Sequence, residues 1–145
     1  MIRSFEKEDL CEVLQLWLSV NLEVHSFVKE SYWLEHRDTV AAMMLEADIY
    51  VWEEQGIKGF LGLMDTYIAG LFVEKAYRGK GIGRKLLHFA FQKHAQLTLD
   101  VYAENKAAIR FYEREGFVKV KEYEEETTKQ LTYTMTAKSM SLLYG

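Results

Sequence analysis

Proline is missing from all 145 positions, and cysteine occurs once, at Cys11. A lone thiol excludes an internal disulfide. Cys11 lies on the flank of a helical pattern, where it reads as a packed side chain rather than a nucleophile. With no proline and no Ser/Gly-rich or low-complexity stretch, nothing marks a domain boundary, so one domain over residues 1–145 is expected. No apolar run approaches the roughly 20 residues that a membrane-spanning helix needs. Basic excess is lacking too: the net charge of −4 argues against nucleic acid or an acidic membrane as partner. Arg3, Glu6, Lys7, Glu8 and Asp9 break the N-terminal stretch, so no secretory signal is read there and a cytoplasmic protein is expected.

What is present is ordinary globular composition, 49% hydrophobic and 28% charged, with clear periodicity. Residues 2–5 form a short strand candidate. Leu10, Val13, Leu14, Trp17 and Leu18 predict an amphipathic helix over residues 7–20. Trp33, Val40, Met44 and Ala47 mark a second helix, with Ser31 as its candidate N-cap. Alternating patterns predict strands at 48–53 and 57–65, joined by a turn at Glu54-Gln55-Gly56, and another at 67–73. Gly59 and Gly62 predict close packing or a bulge in the second of these. A helix over 82–95, a strand over 98–103 and a helix over 106–115 follow, the last with Asn105 as N-cap and Gly116 beyond its end. Strands at 117–123 and 130–138 close the chain around an acidic turn at Glu124-Glu125-Glu126. The order predicts an α/β (α+β) fold built on a mixed sheet with helices on both faces.

The most informative stretch is Arg78-Gly79-Lys80-Gly81-Ile82-Gly83. Glycine at alternate positions lets an anion approach the backbone amides closely. Ile82, Leu86 and Ala90, with Leu87 and Phe91, then open a helix, whose N-terminus carries unpaired donors and partial positive charge. Lys75, Arg78, Lys80, Arg84 and Lys85 crowd around it, so the loop reads as a phosphate or pyrophosphate cradle. Neither nucleotide motif is completed. A triphosphate loop needs Ser or Thr where Gly81 stands, and a dinucleotide fingerprint needs a third small residue where Arg84 stands.

Two blocks together resemble the GNAT superfamily of N-acetyltransferases. The first is Arg78-x-x-Gly81-x-Gly83, which is similar to that family's signature for the pyrophosphate of coenzyme A. The second runs from Asn105 through Ala108 and Tyr112 to Gly116-Phe117. One departure is Lys75, where the family often has a proline. The resemblance implies a twisted, mostly antiparallel sheet of about six or seven strands, with a V-shaped splay between the two central ones. It implies acetyl-CoA as co-substrate, direct acetyl transfer to a primary amine, and no metal. It places the coenzyme on Leu71, Phe72 and Val73, on Arg78 to Arg84 (Gly79, Lys80, Gly81, Ile82 and Gly83 between them), and on Asn105, Ala108 and Phe111.

Acetyl transfer needs a neutral amine, a donor for the charge growing on the thioester oxygen, and a proton for the departing sulfur. The resemblance assigns the donor to the backbone at 71–73 and the proton to Tyr112. Its ring otherwise reads as core, because it shares a helical face with Ala108 and Phe111. Asp100 shares a strand face with Thr98 and Tyr102, an unusual place for a carboxylate. It matches an acid proposed as base in relatives that acetylate protein N-termini; the alternatives are a surface carboxylate, or Glu104 as base. Asn105 reads as a cap, a coenzyme contact, or both. His25, Phe27, Tyr32 and Trp33 lie in a stretch with poor helical periodicity and are expected to line the acceptor site. His25-Ser26-Phe27 with Tyr32-Trp33 resembles a subgroup of small bacterial acetyltransferases, some acting on protein lysines or ribosomal proteins. A structural role for His25 stays open, as does the acceptor, protein or small molecule. A monomer or a homodimer paired through the last strand is expected. The rival reading is a non-catalytic acyl-CoA-binding regulatory module on the same fold.

Overall fold

The computed structural model describes residues 1–139. Residues 140–145 of the expected domain lie outside the described residues. Strand β1 (Ile2–Ser4) is followed by a 3-10 turn at Lys7–Asp9 and helix α1 (Leu10–Val24). Helix α2 (Glu30–Met44) comes next, then β2 (Asp48–Glu53), β3 (Ile57–Met64) and β4 (Tyr67–Val73). After a 3-10 turn at Lys75–Tyr77 come α3 (Ile82–Phe91), β5 (Gln96–Tyr102) and α4 (Lys106–Arg114). Strands β6 (Val118–Glu124) and β7 (Leu131–Lys138) complete the described chain.

Several boundaries differ from the sequence reading. The stretch before Trp33 is mostly helical, because α1 continues to Val24 and α2 starts at Glu30; the linker between them is only 25–29. Periodicity is poor there because α2 fully buries only Trp33 and Met44. Ser31 is not the N-cap: Lys29 takes that position, and no side chain caps the helix. Helix α3 stops at Phe91, short of the expected end, and β5 runs Gln96–Tyr102, starting before the expected strand and ending one residue sooner.

The strands form one sheet in the order β1-β2-β3-β4-β5-β7-β6, antiparallel except for the β4–β5 pair. The mixed, mostly antiparallel sheet with helices on both faces is therefore found. The last strand has no free edge, since β5 and β6 flank it, so it is not available to pair across a dimer. On one face Leu97, Leu99 and Val101 of β5 meet Ile82, Leu86, Leu87 and Ala90 of α3, with Tyr112 and Phe117. On the other, Val13, Leu16 and Trp17 of α1 and Trp33 of α2 pack on Ile49, Val51 and Phe60. Leu86 and Leu87 are fully buried, worth about 1.5–3 kcal/mol each, and they hold the start of α3 against the sheet. Among the described residues no helix is long and apolar enough to cross a membrane.

Candidate active site

The sheet parts where the glycine loop begins. Strands β4 and β5 pair only at Tyr67 with Thr98 and Ile68 with Leu99. Beyond that point β4 continues to Val73 on β3 alone. Gly62 faces Gly70 while Leu63 faces Ile68, so Ala69 is a surplus residue in β4. A bulge bends its strand and raises the local twist, and this one sits where β4 leaves β5. The expected close packing is found at Gly59, where a Cβ would lie 3.1 Å from the Phe72 carbonyl oxygen.

Which amides the gap receives follows from the ladder. The Glu74 N–H donates to the Lys58 carbonyl of β3 at 2.8 Å. Backbone groups alternate sides along a strand, so those of Phe72 also turn to β3, and those of Leu71 and Val73 turn to the gap. Their side chains alternate as well: Phe72 packs with the α1 core, and Leu71 and Val73 with the α3 core.

Gly79 and Gly81 have φ of +79° and +83°, and a Cβ on either would meet nothing within 4 Å. The loop is therefore open above its backbone. Gly81 is the N-cap of α3 and no side chain caps that helix, so its first amides are left for an anion. Gly83 lies against the Phe111 ring, 3.6 Å from where a Cβ would be. Ile82 is buried beneath the loop, Lys80 lies over the Tyr77 ring at 5.0 Å, and Arg84 pairs with Glu115 at 3.5 Å. Arg78 is held by contacts within the protein. Its guanidinium forms two 2.8 Å bonds to Glu23 of α1, and its Nε donates to the Val73 carbonyl at 2.9 Å. The pair holds the Glu23 carboxyl below the usual range.

Tyr112 of α4 belongs to the core on the α3 face and is only 8% exposed, with its ring 5.2 Å from Phe111 and 5.4 Å from Phe117. Its hydroxyl makes no hydrogen bond to a described residue. Burial pushes its pKa up, so it holds its proton firmly. Asp100 lies just past the fork, on the α1 face, and is exposed. Its carboxylate accepts bonds from Tyr67 at 2.9 Å and Thr134 at 2.6 Å, leaving lone pairs for water or an amine. Glu104 is exposed as well.

Asn105 caps α4 by accepting the Ala108 N–H at 3.3 Å, and its Nδ2 lies 3.2 Å from His25 Nε2. His25 Nδ1 lies 2.7 Å from Asn21 Oδ1, so both ring nitrogens are engaged within the protein. The ring stacks on Trp33 at 5.6 Å and meets Phe27 and Tyr102 edge-on at 5.6 and 5.1 Å. Tyr32 touches Trp33 at 4.9 Å. The four expected acceptor residues are thus brought together, Tyr32 and Trp33 from a helix rather than a loop. An apolar groove lined by Trp17, Phe60, Ala69 and Phe72 extends this wall along β4. Burial lowers His25 to about pKa 4 and raises Tyr102 to about 12.

The His25 shift makes stability depend on pH. Folding favours the neutral ring, so its contribution is whole above the unfolded value near 6.5 and is lost as pH falls toward 4. Between pH 7.5 and 4.5, wild type should lose about 2–3 kcal/mol more than His25→Gln in urea titrations. Parallel losses in the two proteins would mean that the ring is not held neutral.

The sequence reading missed Tyr102, Asn21, Glu23, Tyr67 and Thr134. Tyr102 had a signal, since it shares the strand face of Asp100. Asn21 had one as well, since it stands four residues from His25 on a helix; Glu23 had none, because its partner Arg78 lies 55 residues away.

The comparisons agree with this geometry. Residues 45–119 match the family model described as an acetyltransferase (GNAT) domain. Peptidyl-lysine N-acetyltransferase YiaC of Escherichia coli K12 is 37% identical over 120 residues, covering 81% of this chain and 82% of that protein. Peptidyl-lysine N-acetyltransferase YjaB of the same organism is 30% identical over 118 residues, 80% of each chain. The solution structure of apo YjaB from Escherichia coli superposes with a TM-score of 0.84 at 26% identity, over 94% of this chain and 96% of that one. A parted sheet, an uncapped glycine loop and these relatives together make the chain a member of the GNAT family of N-acetyltransferases.

Proposed function

We propose that this N-acetyltransferase moves acetyl directly from acetyl-CoA to the side-chain amine of a protein lysine presented on the α1 face. Acetyl-CoA is the co-substrate of the family and supplies an activated acetyl group. The observation that carries the reading is the fork itself: Leu71 and Val73 offer amides to a gap that ends at the uncapped start of α3. Those amides suit an extended amide-bearing arm, and the loop suits its diphosphate. Phe72 stands on the acceptor side of β4, packed with the α1 core.

The amine nitrogen forms its bond to the acetyl carbon as the carbon–sulfur bond breaks. An amide turned into the gap stabilises charge on the acetyl oxygen. Asp100, through water, takes the proton that the amine sheds, and Tyr112 gives its proton to sulfur. Tyr32, Phe27 and Tyr102 offer ring faces to an alkylammonium before it loses that proton. Lysine is favoured over small amines because YiaC and YjaB carry peptidyl-lysine in their names.

The test is thiol release from acetyl-CoA with lysine peptides, N-terminal peptides and polyamines supplied separately. Release with lysine peptides alone is expected. Release only with polyamines would overturn the acceptor class. Tight coenzyme binding with no release across the panel would favour a binding module.

A further inference from the structure

Two residues at the end of α1 reach the two lips of the gap. Glu23 holds Arg78, which in turn holds the Val73 carbonyl on the β4 side. His25 holds Asn105, the cap of α4 on the β5 side. We propose that His25 is a positioning residue that transmits the state of the acceptor wall to coenzyme binding through Asn105. This rests on the coenzyme occupying the gap as proposed above.

The bond chain has a single consistent direction. Asn21 Nδ2 donates to the Trp17 carbonyl at 2.9 Å, which leaves Asn21 Oδ1 as an acceptor. His25 Nδ1, 2.7 Å from that oxygen, therefore carries the ring proton. Its Nε2 then offers a lone pair to Asn105 Nδ2 at 3.2 Å, and Asn105 Oδ1 is left to accept the Ala108 N–H. Reversing any link would oppose two donors or two acceptors. Asn105 keeps one Nδ2 hydrogen free, and its direction is fixed by the one given to His25. That free hydrogen is the group an incoming amide arm would meet.

The same ring is packed by acceptor-wall side chains. Phe27 lies 5.6 Å away, Trp33 5.6 Å and Tyr102 5.1 Å. No acid or base is paired with the ring among the described residues; its polar partners are the two amides. An acceptor that presses on Phe27 or Tyr102 shifts the ring, and the ring shifts Asn105. Coupling of this kind is reciprocal between the two ligands.

Isothermal titration of acetyl-CoA into the acceptor-free protein tests the inference. His25→Ala is expected to weaken binding by about tenfold, the scale of one lost hydrogen bond. His25→Gln, whose Oε1 can accept from Asn105, is expected to stay within about threefold of wild type. The double variant His25→Ala/Asn105→Ala is expected to bind no worse than Asn105→Ala alone. Long-range ¹⁵N–¹H spectra should show a protonated Nδ1 and a bare Nε2 on His25 at neutral pH. Equal affinity in wild type and His25→Ala, additive losses in the double variant, or a protonated Nε2 would each overturn the inference and leave the functional reading intact. A wild type that does not bind acetyl-CoA would overturn that reading instead. Thermal melts of both His25 variants separate these outcomes from unfolding.

Discussion

Tyr112→Phe should lower thiol release at saturating acceptor by about 10²–10³-fold and leave acetyl-CoA affinity within about twofold. The substitution is clean for a structural reason. The ring is wedged between Phe111 and Phe117, and those contacts survive in phenylalanine. The hydroxyl bonds to no described residue, so its removal strands no buried partner. Burial keeps its proton in place at neutral pH, as an acid requires. The loss should therefore appear in kcat with little change in melting temperature. Stopped-flow or endpoint thiol detection with a lysine peptide decides it. A rate within about twofold of wild type would remove Tyr112 from the acid role.

Gly81→Val should weaken acetyl-CoA binding by more than about tenfold while costing about 1–2 kcal/mol of stability. Gly81 has φ +83°, where a β-branched residue is strained, and it is the residue that launches α3. The methyl groups would stand in the open space above the loop, since a Cβ there meets nothing within 4 Å. Both effects fall on the amides that the diphosphate needs, and the helix core of Leu86, Leu87 and Ala90 keeps the protein folded. Titration calorimetry beside a thermal melt separates the two. Undiminished affinity would show that the anion is held elsewhere.

Local patterning made much of this legible. Strands β2 and β4 have the bounds that their apolar runs imply, and Asn105 caps α4 as its position before Lys106 implies. The glycine loop was legible because a left-handed, uncapped helix start needs glycine wherever it occurs. Pairings between distant residues were not. Nothing near Arg78 in sequence announces Glu23, 55 residues away, and nothing near Asn105 announces His25, 80 residues away. The α1–α2 linker was overestimated because α2 turns one flank to solvent and weakens its own period. The fork itself was implied by the family resemblance, and Gly62 announced the irregularity beside it, but that the surplus residue is Ala69 of β4 was visible only once β3 and β4 were in register.

Unpaired strand edges are normally a hazard, because another chain can zip onto them. The edge that β4 bares is recessed: α1 crosses above it through Glu23 and His25, while α3 and α4 wall it from below. β4 and β5 both lie inside the sheet order, so this edge is internal and is neither rim of the sheet. The protein thus keeps a row of hungry amides at its centre without offering neighbours a template for aggregation.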